Sequence, residues 1–165
     1  MLHARILTQS ILFTKHVLPY KCIMTIETNS EQETIEFART FSQSLAPRDV
    51  VLLHGDLGMG KSVFSRAVIR SLCGVDNLEV PSPTFTLVQT YDADIGTLWH
   101  FDLYRLSDVS EVYELGWEEA LIDGVLLIEW PDRLGHLRPE SYIDVTLSPV
   151  SSDSNARTIE VVRHD

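Results

Sequence analysis

Asp49-Val50-Val51-Leu52-Leu53-His54-Gly55-Asp56-Leu57-Gly58-Met59-Gly60-Lys61-Ser62 is the stretch on which the fold turns. Its first part is a short continuous apolar run, the pattern of a strand buried on both faces. Gly55 to Ser62 then satisfies GxxxxGK[ST]. Beyond it Phe64, Ala67, Val68 and Leu72 recur at helical spacing, and Gly74 stands where a helix would stop. The order is strand, glycine loop, helix. A Gly-rich turn before a helix can be no more than a turn, but this flanking context is the one a phosphate-binding loop requires. Glycines let successive N–H groups curl around phosphate oxygens, and the helix N-terminus adds partial positive charge. Asp56, Leu57, Gly58, Met59, Gly60, Lys61, Ser62 and Val63 are therefore candidate nucleotide contacts. Lys61 would reach the β and γ phosphates, and the Ser62 hydroxyl would ligate Mg²⁺.

Around this core the chain divides readily. From Asn29 or Ser30 onward "NSEQETIEFARTFSQSLAP" reads as a helix: Ser30 and Glu33 form a capping box, Ile35, Phe37, Ala38, Phe41 and Leu45 make an apolar face, and Pro47 ends it. Downstream, "PTFTLVQTYD" and "GTLWHFDLYR" read as strands joined by a hairpin turn at "ADIG". "SDVSEVYELGWEEALIDG" suggests one or two short helices, and Val125 to Ile128 is a second buried strand ending at Glu129. "SYIDVTLSPV" and "ARTIEVVRH" alternate as antiparallel strands around the Ser-rich "SSDSN". The fold class implied is α/β, a P-loop NTPase-like three-layer fold with a mixed sheet of parallel core and antiparallel flanking strands.

Composition limits what such a protein does. At 165 residues, 44% hydrophobic and 22% charged, the chain suits one folded soluble domain. No apolar run approaches the roughly 18 to 20 residues that a membrane-spanning helix needs, and a cytoplasmic location is expected. Two cysteines 51 positions apart, Cys22 and Cys73, form no CxxC pair, and six scattered histidines give little support for zinc. From Met1 to Ile26 there is no acid, while Arg5, Lys15 and Lys21 are positive, so all 24 acids fall in the remainder. Residues 1–23 read as an N-terminal extension, disordered or upstream of an internal start at Met24, with residues 24–165 as one domain. A body that acidic disfavours direct binding to a nucleic-acid backbone. Lys61 is the one lysine after Lys21. Guanine-specific GTPases usually read the base with an Asn/Thr-Lys-x-Asp element downstream, so ATP is the expected nucleotide.

A P-loop site also needs an acid at the end of a buried strand. Glu129 stands there, a candidate for metal or water, and alone it could be a solvated strand end. Trp130 after it could stack on a base or plug the core, and Pro131 reads as structural. In "HFDLYR", His100, Asp102 and Tyr104 share one face of a strand. Asp102 either pairs with Arg105 or stands by the γ phosphate, orienting water or an outer-shell ligand of the metal. "SPTFT" is either a turn into a strand or a switch-like loop whose hydroxyls, Ser82, Thr84 and Thr86, sense the γ phosphate.

Together "GDLGMGKS", "SPTFTL", "HFDLYRL" and "IEWPDRL" resemble, in order and spacing, the TsaE family of bacterial tRNA threonylcarbamoyladenosine biosynthesis ATPases, over roughly residues 27 to 163. The resemblance implies a small ATPase, weak alone, working with the partner proteins TsaB and TsaD on the adenosine beside the anticodon (position 37) of tRNAs reading ANN codons. It implies ATP and Mg²⁺ as cofactors and tRNA contact only through partners. It implies Gly58, Gly60, Lys61 and Ser62 as the phosphate loop, and Ser62 and Glu129 as Mg²⁺ ligands. Asp102 and Trp130 would serve hydrolysis, and Thr84 would be the switch-like threonine. The family often has two threonines after the loop lysine; Ser62 and Val63 here keep one hydroxyl. Two other readings of the loop are a small kinase of a nucleotide or sugar, for which Arg133 and Arg138 are the close-spaced basic candidates, and a module that holds nucleotide without chemistry.

Overall fold

The structure, a computed structural model, describes residues 23–151 and 153–165. The expected N-terminal extension, apart from Ile23, lies outside the described residues. Seven strands form one sheet: β1 (Ile23–Thr28), β2 (Val50–His54), β3 (Val88–Ala93), β4 (Gly96–Asp102), β5 (Gly124–Glu129), β6 (Tyr142–Val150) and β7 (Asp153–His164). Their order is β1-β7-β6-β2-β5-β4-β3. The inner pairs β6/β2, β2/β5 and β5/β4 are parallel, and the outer pairs are antiparallel. That is the mixed sheet the sequence implies.

Period-2 alternation in the central strands builds two cores. Val51 and Leu53 of β2 face the same side as Val125 and Leu127 of β5, where they meet Phe37 and Phe41 of α1 (Glu31–Ser42) and Phe64 and Val68 of α2 (Lys61–Cys73). Val50, Leu52, Leu126 and Ile128 face the other side, against Val112 of α3 (Glu111–Glu114), Trp117 and Ala120 of α4 (Trp117–Asp123) and Leu134 of a 3-10 turn (Pro131–Leu137). Helices thus cover both faces, giving three layers. The Ser30 hydroxyl accepts the Glu33 amide at 3.2 Å, while the Glu33 carboxylate reaches the amide of Asn29, one residue before the cap, at 2.8 Å. Gly74, at φ +66, ends α2 with the Val75 amide bonded back to the Arg70 carbonyl at 3.2 Å.

Two elements differ from the sequence reading. β1 has no counterpart among the expected strands; it adds to the sheet edge against β7, pairing Ile23 with Val162 through Thr28 with Arg157. "PTFTLVQTYD" is a strand only from Val88, because Pro83 to Leu87 closes into a turn. The Leu87 amide donates to the Pro83 carbonyl at 2.7 Å, with Leu87 itself at φ +65, outside the β region of regular strands.

Candidate functional site

The loop from Gly55 to Gly60 leaves the C-terminal end of β2 and runs directly into α2. Gly55, Gly58 and Gly60 hold φ values of +132, +82 and +100, backbone that side-chain-bearing residues rarely adopt. β6 backs onto this loop so closely that a Cβ at Gly55 would lie 2.5 Å from the Leu147 carbonyl oxygen. His54 ties the root of the loop to the same strand, with Nε2 2.7 Å from Asp144 Oδ1. The first helical backbone bond of α2 runs from the Phe64 amide to the Gly60 carbonyl at 2.9 Å, so the amides of the first turn have no acceptor within the helix. Backbone donors and the helix dipole therefore converge on the space in front of the loop.

That space is a cleft of about 280 Å³. Of the sequence candidates, Leu57, Gly58, Gly60, Lys61, Ser62, Val63, Thr84, Asp102, Glu129 and Trp130 line it, joined by Tyr104. Met59 instead lines a neighbouring groove of about 410 Å³ with Asn29, Ser30, Glu31, Asn155 and Arg157, and Gly58, Gly60 and Val63 border both. Asp56 lines neither; its backbone carbonyl accepts Lys61 Nζ at 3.0 Å. Arg133 and Arg138 also stand outside the cleft. Arg138 is held by Asp144 at 3.0 Å and lies over the Tyr142 ring.

Lys61 Nζ donates to the Gly55 carbonyl at 2.6 Å and rests 3.9 Å over the Trp130 ring. Burial pushes its ammonium below the ordinary lysine value, and the carboxylates of Glu129, Asp102 and Asp56 oppose that shift. Trp130 is at φ +61, ψ +50, a strained conformation for a bulky residue, which packs its ring against Tyr104 at 4.9 Å between centroids. Pro131 follows, buried, at the first position of the 3-10 turn.

Parallel pairing of β4 with β5 sets Asp102 beside Glu129 in register, so two buried carboxylates end neighbouring strands. Glu129 Oε2 accepts the Ser62 hydroxyl at 3.0 Å. Glu129 Oε1 faces His100 Nε2 at 2.9 Å and the Ser65 hydroxyl at 3.3 Å. Asp102 does not pair with Arg105, which lies instead over the Phe85 ring at 4.4 Å. Asp102 Oδ2 accepts the Thr84 hydroxyl at 2.8 Å and Oδ1 the Tyr104 amide at 3.1 Å, while the Asp102 amide donates to the Leu87 carbonyl at 3.0 Å. The "SPTFT" turn is thereby fastened to the Asp102 carboxylate. Tyr104 lies beyond the end of β4, half-exposed at the cleft, and is not on the buried strand face with His100 and Asp102. The sequence reading did not single out Ser65 at all and used His100 only as a face marker. Their signal was spacing: three residues after Ser62 on a helix and two before Asp102 on a strand.

A strand, a glycine loop, a helix N-terminus and two strand-end carboxylates around one cleft define a phosphate-binding protein of the P-loop class. The family model "Threonylcarbamoyl adenosine biosynthesis protein TsaE" matches residues 28–159, and the chain belongs to that family. Proteins named tRNA threonylcarbamoyladenosine biosynthesis protein TsaE are similar to it: one from Rickettsia conorii is 47% identical over 81% of this chain and 75% of its own. One from Bacillus subtilis is 32% identical over 82% and 84%. The crystal structure of Bacillus subtilis YdiB has the same fold, with a TM-score of 0.69, 23% identity and 88% of each chain covered.

Proposed function

We propose that this protein is an ATPase of tRNA threonylcarbamoylation, acting on the adenosine at position 37 of tRNAs reading ANN codons through TsaB and TsaD partners. The observation that carries this reading is the meeting of Lys61, Ser62, Thr84, Asp102 and Glu129 in one cleft in front of the 55–60 loop. The phosphates of ATP would lie against the amides of that loop and of the first turn of α2. The base would lie in the adjoining groove, whose polar lining continues from Gly58 and Gly60 to Asn29, Ser30 and Arg157.

The donor set suits magnesium. Ser62 Oγ and Glu129 Oε2, 3.0 Å apart, are hard oxygens, and among the described residues no three His, Cys, Asp or Glu side chains gather to hold an ion by themselves. Mg²⁺ commonly binds through one or two protein oxygens together with phosphate and water. Ser62 and Glu129 would hold it, and when bound it neutralises charge on the β and γ phosphates. Lys61 would exchange the Gly55 and Asp56 carbonyls for phosphate oxygens. Asp102 Oδ2 already accepts the Thr84 hydroxyl at 2.8 Å and the Ser82 hydroxyl at 3.5 Å, whereas Oδ1 accepts the Tyr104 amide alone and so keeps a lone pair to orient the attacking water, while Thr84 reports the position of the "SPTFT" turn to the carboxylate. Trp130 and Tyr104 wall the cleft and limit solvent at the reacting phosphate.

The test is ATP turnover by the chain alone and with TsaB and TsaD, beside tRNA modification by the reconstituted set. Turnover is expected to be slow alone, faster with the pair, and lost in Lys61→Ala. Hydrolysis unchanged in that variant would overturn the reading, and transfer of phosphate to a nucleotide or sugar would replace it with a kinase.

A further inference from the structure

We propose that His100 is a positioning residue for Glu129, an inference that rests on the magnesium–nucleotide reading of the cleft. Glu129 is 2% exposed and His100 1%, so neither finds compensation in solvent. The two oxygens of the carboxylate have different surroundings. Oε2 faces Ser62 and the cleft, whereas Oε1 points back into the protein toward His100 and Ser65.

Ser65 is the weaker anchor of Oε1. It has one proton, and that proton is also within reach of the Lys61 carbonyl one helical turn back, at 3.1 Å against 3.3 Å for Glu129. Hydroxyls on helices commonly take such a carbonyl. His100 Nε2, at 2.9 Å, has Glu129 as its partner, and an ionised carboxylate only accepts, so the proton resides on Nε2. His100 Nδ1 has no partner among the described residues. An orphaned buried nitrogen is a cost, and a purely structural position would be filled as well by an apolar side chain. What the imidazole supplies is a fixed donor that pins one carboxylate oxygen and turns the other toward Ser62. Partners that orient a metal-binding carboxylate commonly change metal affinity by about 10–100-fold when removed.

The experiment is Mn²⁺ titration in the presence of ADP, followed by electron paramagnetic resonance, on wild type, His100→Leu and His100→Gln, with ADP binding in EDTA measured alongside. Gln carries its amide nitrogen the same number of bonds from Cα as imidazole Nε2. His100→Leu is expected to raise the Mn²⁺ midpoint by about tenfold or more while leaving metal-free ADP binding unchanged, and His100→Gln to restore much of the metal affinity. A wild-type midpoint in His100→Leu, or no rescue by a folded His100→Gln, overturns the proposal. A wild-type protein that binds ADP without metal dependence overturns the magnesium reading as well. Should the variants fail to fold, ¹⁵N spectra of wild-type histidines decide: the Nε2–H tautomer at His100 is required, and Nδ1–H would refute it.

Discussion

Gly55→Ala probes whether the loop geometry, rather than the motif's side chains, makes the site. The perturbation is one methyl group, and its surroundings are backbone: the new Cβ would sit 2.5 Å from the Leu147 carbonyl oxygen of β6. Ordinary contact begins near 3.4 Å, so loop and strand must part by about 0.9 Å. Alanine at φ +132 also adds backbone strain of about 1–3 kcal/mol. For a chain of this size that is a melting-temperature loss of about 2–12 °C. The displacement matters more for function, since misplacing a positioned group by 1 Å can cost about 100-fold in rate. It falls on the residue whose carbonyl holds Lys61 Nζ. Gly74→Ala is the control: φ is +66 and nothing lies within 4 Å of its Cβ, so about 1–2 kcal/mol of left-handed strain is the whole effect. Calorimetry with ADP and magnesium should show affinity lowered by about 10–100-fold in Gly55→Ala, the worth of one hydrogen bond to a charged group, and unchanged in Gly74→Ala. Wild-type affinity in a folded Gly55→Ala would refute the argument that β6 shapes the phosphate loop.

Gly124→Ala tests packing without backbone strain, because Gly124 is extended at φ −93. Its Cβ would meet the Trp99 ring at 2.4 Å and the Ala120 carbonyl oxygen at 2.7 Å, so overpacking should cost about 1–3 kcal/mol; an unchanged urea midpoint would contradict this. Cys73 supplies the pH dependence. Burial, and then the Asp92 carboxylate, push its thiol above the ordinary value; both disfavour the thiolate, so alkylation at neutral pH should be slower than that of an unburied peptide thiol and should rise only at higher pH. Peptide-resolved mass spectrometry after iodoacetamide checks it. Asp92→Asn should shift the Cys73 profile to lower pH, and a rate indifferent to Asp92 would leave burial as the sole cause.

The elements legible in the sequence were those with complete burial or an unbroken helix or strand period, such as the alternation of β6. β2 and β5 are buried along almost their whole length, so their apolar runs needed no context. β1 is the opposite case. "IMTIET" is largely exposed, and its partner β7 lies some 130 residues away, so nothing local marks it. "PTFTL" misleads as the start of the "PTFTLVQTYD" strand because Thr and Phe favour strands. Pro81 and Pro83 supply no amide for a ladder, and Leu87 in the left-handed region turns the chain so that Thr84 reaches Asp102. The spacing of Asp102 and Arg105 suggests an ion pair, but the strand ends at Asp102, and Arg105 turns away onto Phe85. Which acids share a cleft depends on strand order, and only the β4–β5 register places Asp102 beside Glu129.

The charge of the cleft has a consequence for its ligand. Two carboxylates, Asp102 and Glu129, face a single ammonium, Lys61, that burial has already made less willing to carry its charge. No other lysine exists among the described residues to assist it, and Arg133 and Arg138 lie outside the cleft. A free nucleotide polyphosphate entering here would add negative charge to a negative site, with only amide dipoles and one cation in compensation. A divalent ion arriving with the phosphates reverses that balance at Glu129, where the Ser62 hydroxyl already stands against the carboxylate. If the cleft takes a nucleotide as proposed, the acidity of the strand ends would select the magnesium complex over the bare nucleotide. It also explains why the proposed engine is built with so little positive charge of its own.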